Sequence, residues 1–212
     1  MNIILDIFNY VFVAIIIGVA STWVVLIRSM LRTFHDAPFL DKFEKKEHEK
    51  PKVSIILPAR NEEKFIGKCL TSLLDQDYDN YEIIVINDSS EDSTAEIIKK
   101  YEKKFSKVIL VDAKSKPEGW VGKNWACMEG YKKSTGNLLL FTDSDTVHAS
   151  SVISLAVSHL LSLELDALTV IPRMLCLDPI TKITLPMISV FLHTRFSALR
   201  VNDKSKNTGY FF

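Results

Sequence analysis

This chain of 212 residues carries no net charge, because 26 lysines and arginines balance 26 aspartates and glutamates. Surfaces built to bind nucleic acid carry a basic excess, so that class of partner is excluded at the outset. Cysteine is scarce. Cys69, Cys127 and Cys176 are odd in number, widely spaced and free of any CxxC pair. That pattern argues against a disulfide framework and a zinc cluster, and suits reduced thiols in a cytosol-facing domain. Neither the dinucleotide fingerprint GxGxxG nor the P-loop GxxxxGK[ST] follows any expected strand, so hydride transfer and P-loop phosphotransfer lack their usual signature. There is no internal repeat and no low-complexity tract. Charged residues form 25% of the chain, which excludes wholesale disorder and a purely membrane-embedded protein. Mean hydropathy is nevertheless +0.12, so the apolar residues must be concentrated somewhere.

They gather at the N-terminus. Ile7 to Ile27 (IFNYVFVAIIIGVASTWVVLI) is a run of 21 residues without a charge. A helix of that length rises about 30 Å, the thickness of a bilayer core. Ser21 and Thr22, two of its few polar members, can bond back to helix carbonyls. A cleaved signal peptide would need a basic leader, whereas here Asp6 precedes the run unbalanced. Residues 1–32 are therefore expected to be a retained transmembrane anchor. Arg28 and Arg32, with Lys42, Lys45 and Lys46 beyond, place the C-terminal side in the cytoplasm by the positive-inside rule. Residues 33–52 read as a charged juxtamembrane linker, with Phe34, Phe39, Leu40 and Phe43 at the membrane interface.

From Val53 the pattern becomes strand and helix in alternation. Val53–Ala59, Glu82–Asp88, Lys107–Asp112 and Asn137–Asp143 are short apolar runs suited to buried parallel strands. Between them lie helical spacings: Phe65 to Leu74, a helix opened by a Ser93/Glu96 capping box, and Asn124 to Ser134 ended by Gly136. This order implies an open α/β sheet with right-handed crossovers and a ligand crevice at the strands' carboxyl ends.

Polar residues cluster at those ends. Pro58-Ala59-Arg60-Asn61-Glu62 follows the first strand, Asn87 to Thr94 (NDSSEDST) the second, and Thr142-Asp143-Ser144-Asp145-Thr146 the fourth. An acidic crevice needs a cation to accept a nucleotide diphosphate, and Mg2+ or Mn2+ prefers carboxylate and phosphate oxygens. Asp143 and Asp145 alternate at the expected strand end, which would aim both side chains at one face. One would hold the metal while the other reaches the sugar or ribose.

In this order the motifs resemble the family 2 glycosyltransferases of the GT-A fold. PARNEE (58–63) looks like their first nucleotide-contacting loop, NDSSEDST (87–94) like the loop whose aspartate meets base or ribose, and TDSDT (142–146) like the metal-binding DxD. PEGWVGKNWA (117–126) resembles a loop of the membrane-bound branch that includes hopanoid- and carotenoid-associated glycosyltransferases and ceramide glucosyltransferase. RVNDKSKNTGYFF (200–212) looks like the stretch before that branch's acceptor region. The resemblance implies a GT-A domain over 53–175, a nucleotide-sugar site of Pro58, Ala59, Arg60, Asn61, Glu62, Asp88, Lys123 and Asp143, and a metal held by Asp145 and Asp143.

Chemistry alone leaves alternatives at several of these positions. Asp88 suits a uracil N–H or ribose hydroxyl, or else a turn. Glu62 caps the next helix or accepts from the ribose; Arg60 meets the base or the neighbouring acidic loop. Lys123 reaches phosphate or sugar, or stays exposed. Trp120 and Trp125 read best as packing between helix and sheet, and His148 as a first-turn histidine. The implied reaction is inverting transfer with Mg2+ or Mn2+ as Lewis acid. Asp166, Asp178 and Asp203 are free carboxylates outside any matching motif, so no general base is assigned, and the family's later QxxRW-like motif is absent.

Towards the C-terminus, Ser150–Leu163 is expected as a helix with a serine stripe (Ser151, Ser154, Ser158, Ser162) and Ala167–Arg173 as a fifth strand. Residues 176–212 hold an apolar segment, Ile183–Leu199, broken by Pro186 and carrying His193 and Arg195. An interfacial helix at the start of an acceptor region fits best. The expectation is a membrane-anchored glycosyltransferase with a cytoplasmic catalytic domain, a nucleotide-diphosphate sugar donor and a lipid or lipid-linked acceptor. The alternative is a non-catalytic nucleotide-sugar-binding or regulatory fragment.

Overall fold

The computed structural model describes residues 3–36, 40, 49–176 and 178–195. In chain order it contains α1 (Ile3–Asp36), β1 (Val53–Ala59), α2 (Ile66–Leu74), β2 (Tyr81–Asn87), α3 (Thr94–Lys104), β3 (Val108–Asp112), α4 (Gly122–Tyr131), β4 (Leu138–Phe141), α5 (Val152–Ser162) and α6 (Pro179–Arg195). Two compact units emerge: Leu40–Pro172, and Met1–Phe39 with Arg173–Phe212.

In the larger unit the strands pair in parallel in the order β3-β2-β1-β4. The chain thus builds outward from β1 to β3, then returns to the other side of β1 for β4. The boundary between β1 and β4 is the switch point at which such sheets open a crevice. Both faces of the central strands β1 and β2 are covered, which is why they read as unbroken apolar runs, whereas edge strand β4 leaves Leu139 and Phe141 exposed on one face. Ile55, Leu57, Ile83 and Val85 pack with Leu70 and Leu73 of α2, Ile98 of α3, and Ile153 and Val157 of α5. Ile56, Ile84 and Ile86 face Ala126 of α4. Each fully buried aliphatic side chain contributes about 1.5–3 kcal/mol.

Two glycines permit close approach. A Cβ on Gly130 would stand 2.6 Å from Ile86 Cδ1, so its absence lets α4 lie directly on the sheet. A Cβ on Gly136 would meet the Lys52 carbonyl at 2.6 Å. Gly136 is therefore a packing residue before β4 and does not end the helix, which stops at Tyr131. Beside it Glu82 accepts from Lys52 Nζ at 2.7 Å, Ser54 Oγ at 2.6 Å and the Thr135 amide at 2.8 Å. This network ties the entry of β4 to β1 and β2.

Several local expectations are corrected. The fourth strand ends at Phe141, so Asp143 and Asp145 lie in the following turn and do not alternate on a strand. Ser93 stands at the N-cap of α3 without a side-chain cap bond; Asp92 Oδ1 accepts from the Thr94 amide instead. The serine stripe of α5 lies inward at its centre, where Ser154 and Ser158 are buried. Residues 167–173 adopt no strand; Ile171 is 86% exposed, and Pro172 beside it has no N–H to give a ladder.

In the smaller unit, Asp6–Arg32 of α1 is long and apolar enough to cross a membrane. Thr22 donates to the Gly18 carbonyl at 2.9 Å, satisfying its hydroxyl inside the apolar helix. α6 runs through Pro186 and is not broken there; Asp178 Oδ1 accepts from the Thr181 amide at its start. Ile180, Ile183, Met187 and Ile188 are exposed along it. The expectations for Lys42, Lys45, Lys46, Phe39, Phe43, Asp203 and 200–212 fall outside the described residues, as do those for the side chains of Phe34, His193 and Arg195.

Candidate active site

At the carboxyl ends of β1, β2 and β4 three loops converge on a cavity of about 370 Å³. It is lined by Pro58, Ala59, Arg60, Glu62, Asp88, Gly122, Lys123, Ala126, Asp143, Ser144 and Asp145. Every position expected in the site lines this cavity except Asn61. The walls are held by bonds between loops. Asn61 adopts a left-handed φ of 55°, tolerable for asparagine. Its amide donates to Ser90 Oγ at 3.2 Å, and its Oδ1 accepts from the Glu91 amide at 2.9 Å. The Glu62 amide donates to Thr94 Oγ1 at 2.7 Å, and the Asp88 amide to the Ala59 carbonyl at 2.9 Å. Asn61 thus works as a tie that positions Arg60 and Glu62.

On the far wall α4 begins at the cavity. Its N-cap, Val121, supplies no side-chain bond, leaving the positive end of the helix uncapped by protein. Gly122 and Ala126 share one face of α4, and their small side chains leave room at the cavity. A Cβ on Gly122 would come within 3.5 Å of Asp88 Oδ2. The signal for both was present as small residues four apart beside Lys123, yet single-residue chemistry passes over residues that contribute space. Ser144, between the two aspartates, is the third missed position. It is 6% exposed, because the turn after β4 buries its middle residue while presenting Asp143 and Asp145.

Negative charge dominates the cavity. Glu62 is held above the usual carboxylate range by burial first, then by Asp145, Asp92 and Asp143. Lys123 forms an ion pair with Asp143. Among the described residues no three side chains converge as a complete metal site. The donor set still fits a divalent cation: two carboxylates leave most of the sphere to phosphate and water, as Mg2+ requires.

Other chemistry-bearing residues are structural. Trp125 is buried, donates from Nε1 to the Lys114 carbonyl at 2.9 Å, and meets Trp120 edge-on at 5.3 Å. His148 Nε2 pairs with Thr142 Oγ1 at 2.9 Å, and burial lowers its pKa. Burial pushes the Cys69 thiol up to about 12, so it is inert. Asp166 is exposed and Asp178 caps α6.

An open parallel sheet with an acidic crevice at its switch point defines a doubly wound α/β protein whose candidate site lies at the strands' carboxyl ends. Comparison with known proteins narrows this. Residues 54–206 match the family described as glycosyl transferase family 2. The chain is 37% identical over 128 residues to a 4,4'-diaponeurosporenoate glycosyltransferase of Staphylococcus haemolyticus, covering 59% of this chain and 32% of that protein. It is 34% identical over 108 residues to a probable glycosyltransferase of Bacillus subtilis, covering 50% of this chain and 26% of that one. A mannosyltransferase from Pyrobaculum calidifontis, solved in complex with GDP-Man and Mn2+, shares the fold at 21% identity and a TM-score of 0.50 over 66% of this chain and 42% of its own. The chain belongs to glycosyl transferase family 2 and has the GT-A fold. It spans about a third or less of the curated relatives it matches.

Proposed function

We propose that this chain forms the donor-binding part of a membrane-anchored, inverting glycosyltransferase that moves a sugar from a nucleotide diphosphate to a lipid or lipid-linked acceptor. The observation that carries this reading is the convergence of Arg60, Glu62, Asp88, Lys123, Asp143 and Asp145 on one cavity at the switch point. Asp88, beyond β2, accepts from the base or ribose, with Glu62 on the adjoining loop. Lys123 and the uncapped start of α4 favour the diphosphate, since both present positive charge to the cavity. Asp145, with Asp143, holds Mg2+ or Mn2+. When bound there, such a cation would supply Lewis-acid stabilisation of the departing diphosphate.

The lipid acceptor is supported by the membrane-length helix α1, by the exposed apolar residues of α6, and by the relative named for diaponeurosporenoate. Arg28 and Arg32 favour a cytoplasmic side for the donor site. A second reading, nucleotide-sugar binding without turnover, is favoured by one observation: neither Asp166 nor Asp178 lines the cavity. The test is calorimetry of UDP- and GDP-sugars on the full chain in detergent, with and without Mn2+, alongside Asp145→Ala. Metal-dependent binding lost in the variant supports the donor site. Binding indifferent to both metal and mutation sinks the metal assignment, and single-turnover transfer separates the two readings.

A further inference from the structure

Lys123 and Asp143 have separate tasks in the donor site proposed above, one at phosphate and one at the cation. In this structure they are bonded to each other. Both side chains are more than half exposed, at 60% and 56%. Exposed pairs of this kind are weak and open readily. Their backbones, by contrast, are held. Lys123 sits in the first turn of α4, which Gly130 seats against Ile86 and Ile56. The Asp143 carbonyl accepts from Thr146 Oγ1 at 2.6 Å. The pair can therefore separate by side-chain rotation alone.

We propose that the Lys123–Asp143 ion pair is a built-in counter-ion latch, opened when a nucleotide diphosphate takes Lys123 and a divalent cation takes Asp143. This rests on the donor-site reading. Each ligand alone opens the latch at a disadvantage. A cation on Asp143 leaves the Lys123 ammonium beside it with like charge, and a diphosphate on Lys123 leaves Asp143 beside phosphate with like charge. Arriving together, they exchange one ion pair for two and keep the charge balanced. The coupling is reciprocal. Lys123 is accordingly a competitor of the cation for Asp143 as well as a phosphate ligand, and its removal acts on the two ligands with opposite sign.

The test uses the full chain in detergent, with Mn2+ alone followed by water-proton relaxation, and UDP and GDP in chelator followed by calorimetry. Lys123→Gln should tighten Mn2+ alone by about threefold or more while weakening the metal-free nucleotide. Asp143→Asn should tighten the metal-free nucleotide by a similar factor. Lys133→Gln removes an equal charge at an exposed position near the end of the same helix and should change neither. Unchanged melting temperatures establish that the variants fold. Lys123→Gln that leaves Mn2+ affinity unaltered, lowers it, or merely matches Lys133→Gln overturns the latch and leaves the donor site standing. A wild-type chain that binds neither nucleotide, even with Mn2+, overturns both.

Discussion

At the amino end of β2, Glu82 accepts from Lys52, Ser54 and Thr135 and is almost enclosed. At the carboxyl end of the same sheet, Glu62 faces Asp92, Asp143 and Asp145. Burial raises both carboxyls. For Glu82 the surrounding donors outweigh burial and bring its pKa to about 2; for Glu62 the neighbouring carboxylates add to burial and push it further up. One end of the sheet has its charge neutralised from within the chain. The other pairs Lys123 with Asp143 yet still gathers carboxylates round Glu62, and acid in excess of this kind marks a site kept for function.

The largest expected effect is on binding. Asp88→Ala should weaken nucleotide-sugar affinity by roughly 100-fold, the cost of an unreplaced charge-assisted bond pair, with melting unchanged. Equal losses from Glu82→Gln would erase the distinction between the two ends. Glu82→Gln should instead cost about 2 kcal/mol of stability, read by urea denaturation, because it removes the charge that pairs with Lys52. Its pH dependence carries the same sign. With a folded pKa of about 2 against the ordinary 4.5, the stabilisation is complete above pH 4.5 and is lost as pH falls towards 2. Wild type should therefore lose its advantage over Glu82→Gln across that window. Gly130→Ala should cost about 1–3 kcal/mol by driving α4 away from Ile86, and should weaken nucleotide binding because Lys123 moves with the helix. The smallest effect belongs to Glu62→Gln. A raised folded pKa makes the ionised carboxylate destabilising at neutral pH, so this variant should gain up to about 0.5 kcal/mol at pH 7 and nothing below pH 4.

Much of the sheet was legible. Val53–Ala59 matches β1 residue for residue, and the other strands deviate only at their ends. Four apolar runs separated by helical spacings leave few alternatives to a parallel sheet. Turn chemistry was less legible, since several residues there compete for the same amides. Asp92 displaced Ser93 as the bond donor's partner at α3, and the bonds by which Asn61 ties two loops together were not foreseen. The inward position of the α5 serines was not legible, because a hydroxyl can back-bond within a helix, as Ser154 does to the Ser151 carbonyl, and so be buried at little cost. Ala167–Arg173 misled because a short apolar run becomes a strand only when its backbone can pair, and Pro172 within it supplies no N–H.

The membrane-length helix, the four strand cores and the acidic character of their carboxyl ends were decided by the sequence alone. Each depends on apolar run length or on residue type at a strand end, and both act over a few neighbouring residues. Only the tertiary structure decided that Asp143 and Asp145 share a cavity from a turn, that Gly122 and Ala126 make its space, and that Lys123 spends its charge on Asp143. Those facts depend on strand order, which brings β4 back beside β1 and sets α4 across the crevice. Such pairings are chosen by the packing of the whole sheet, a nonlocal free energy that no single segment carries.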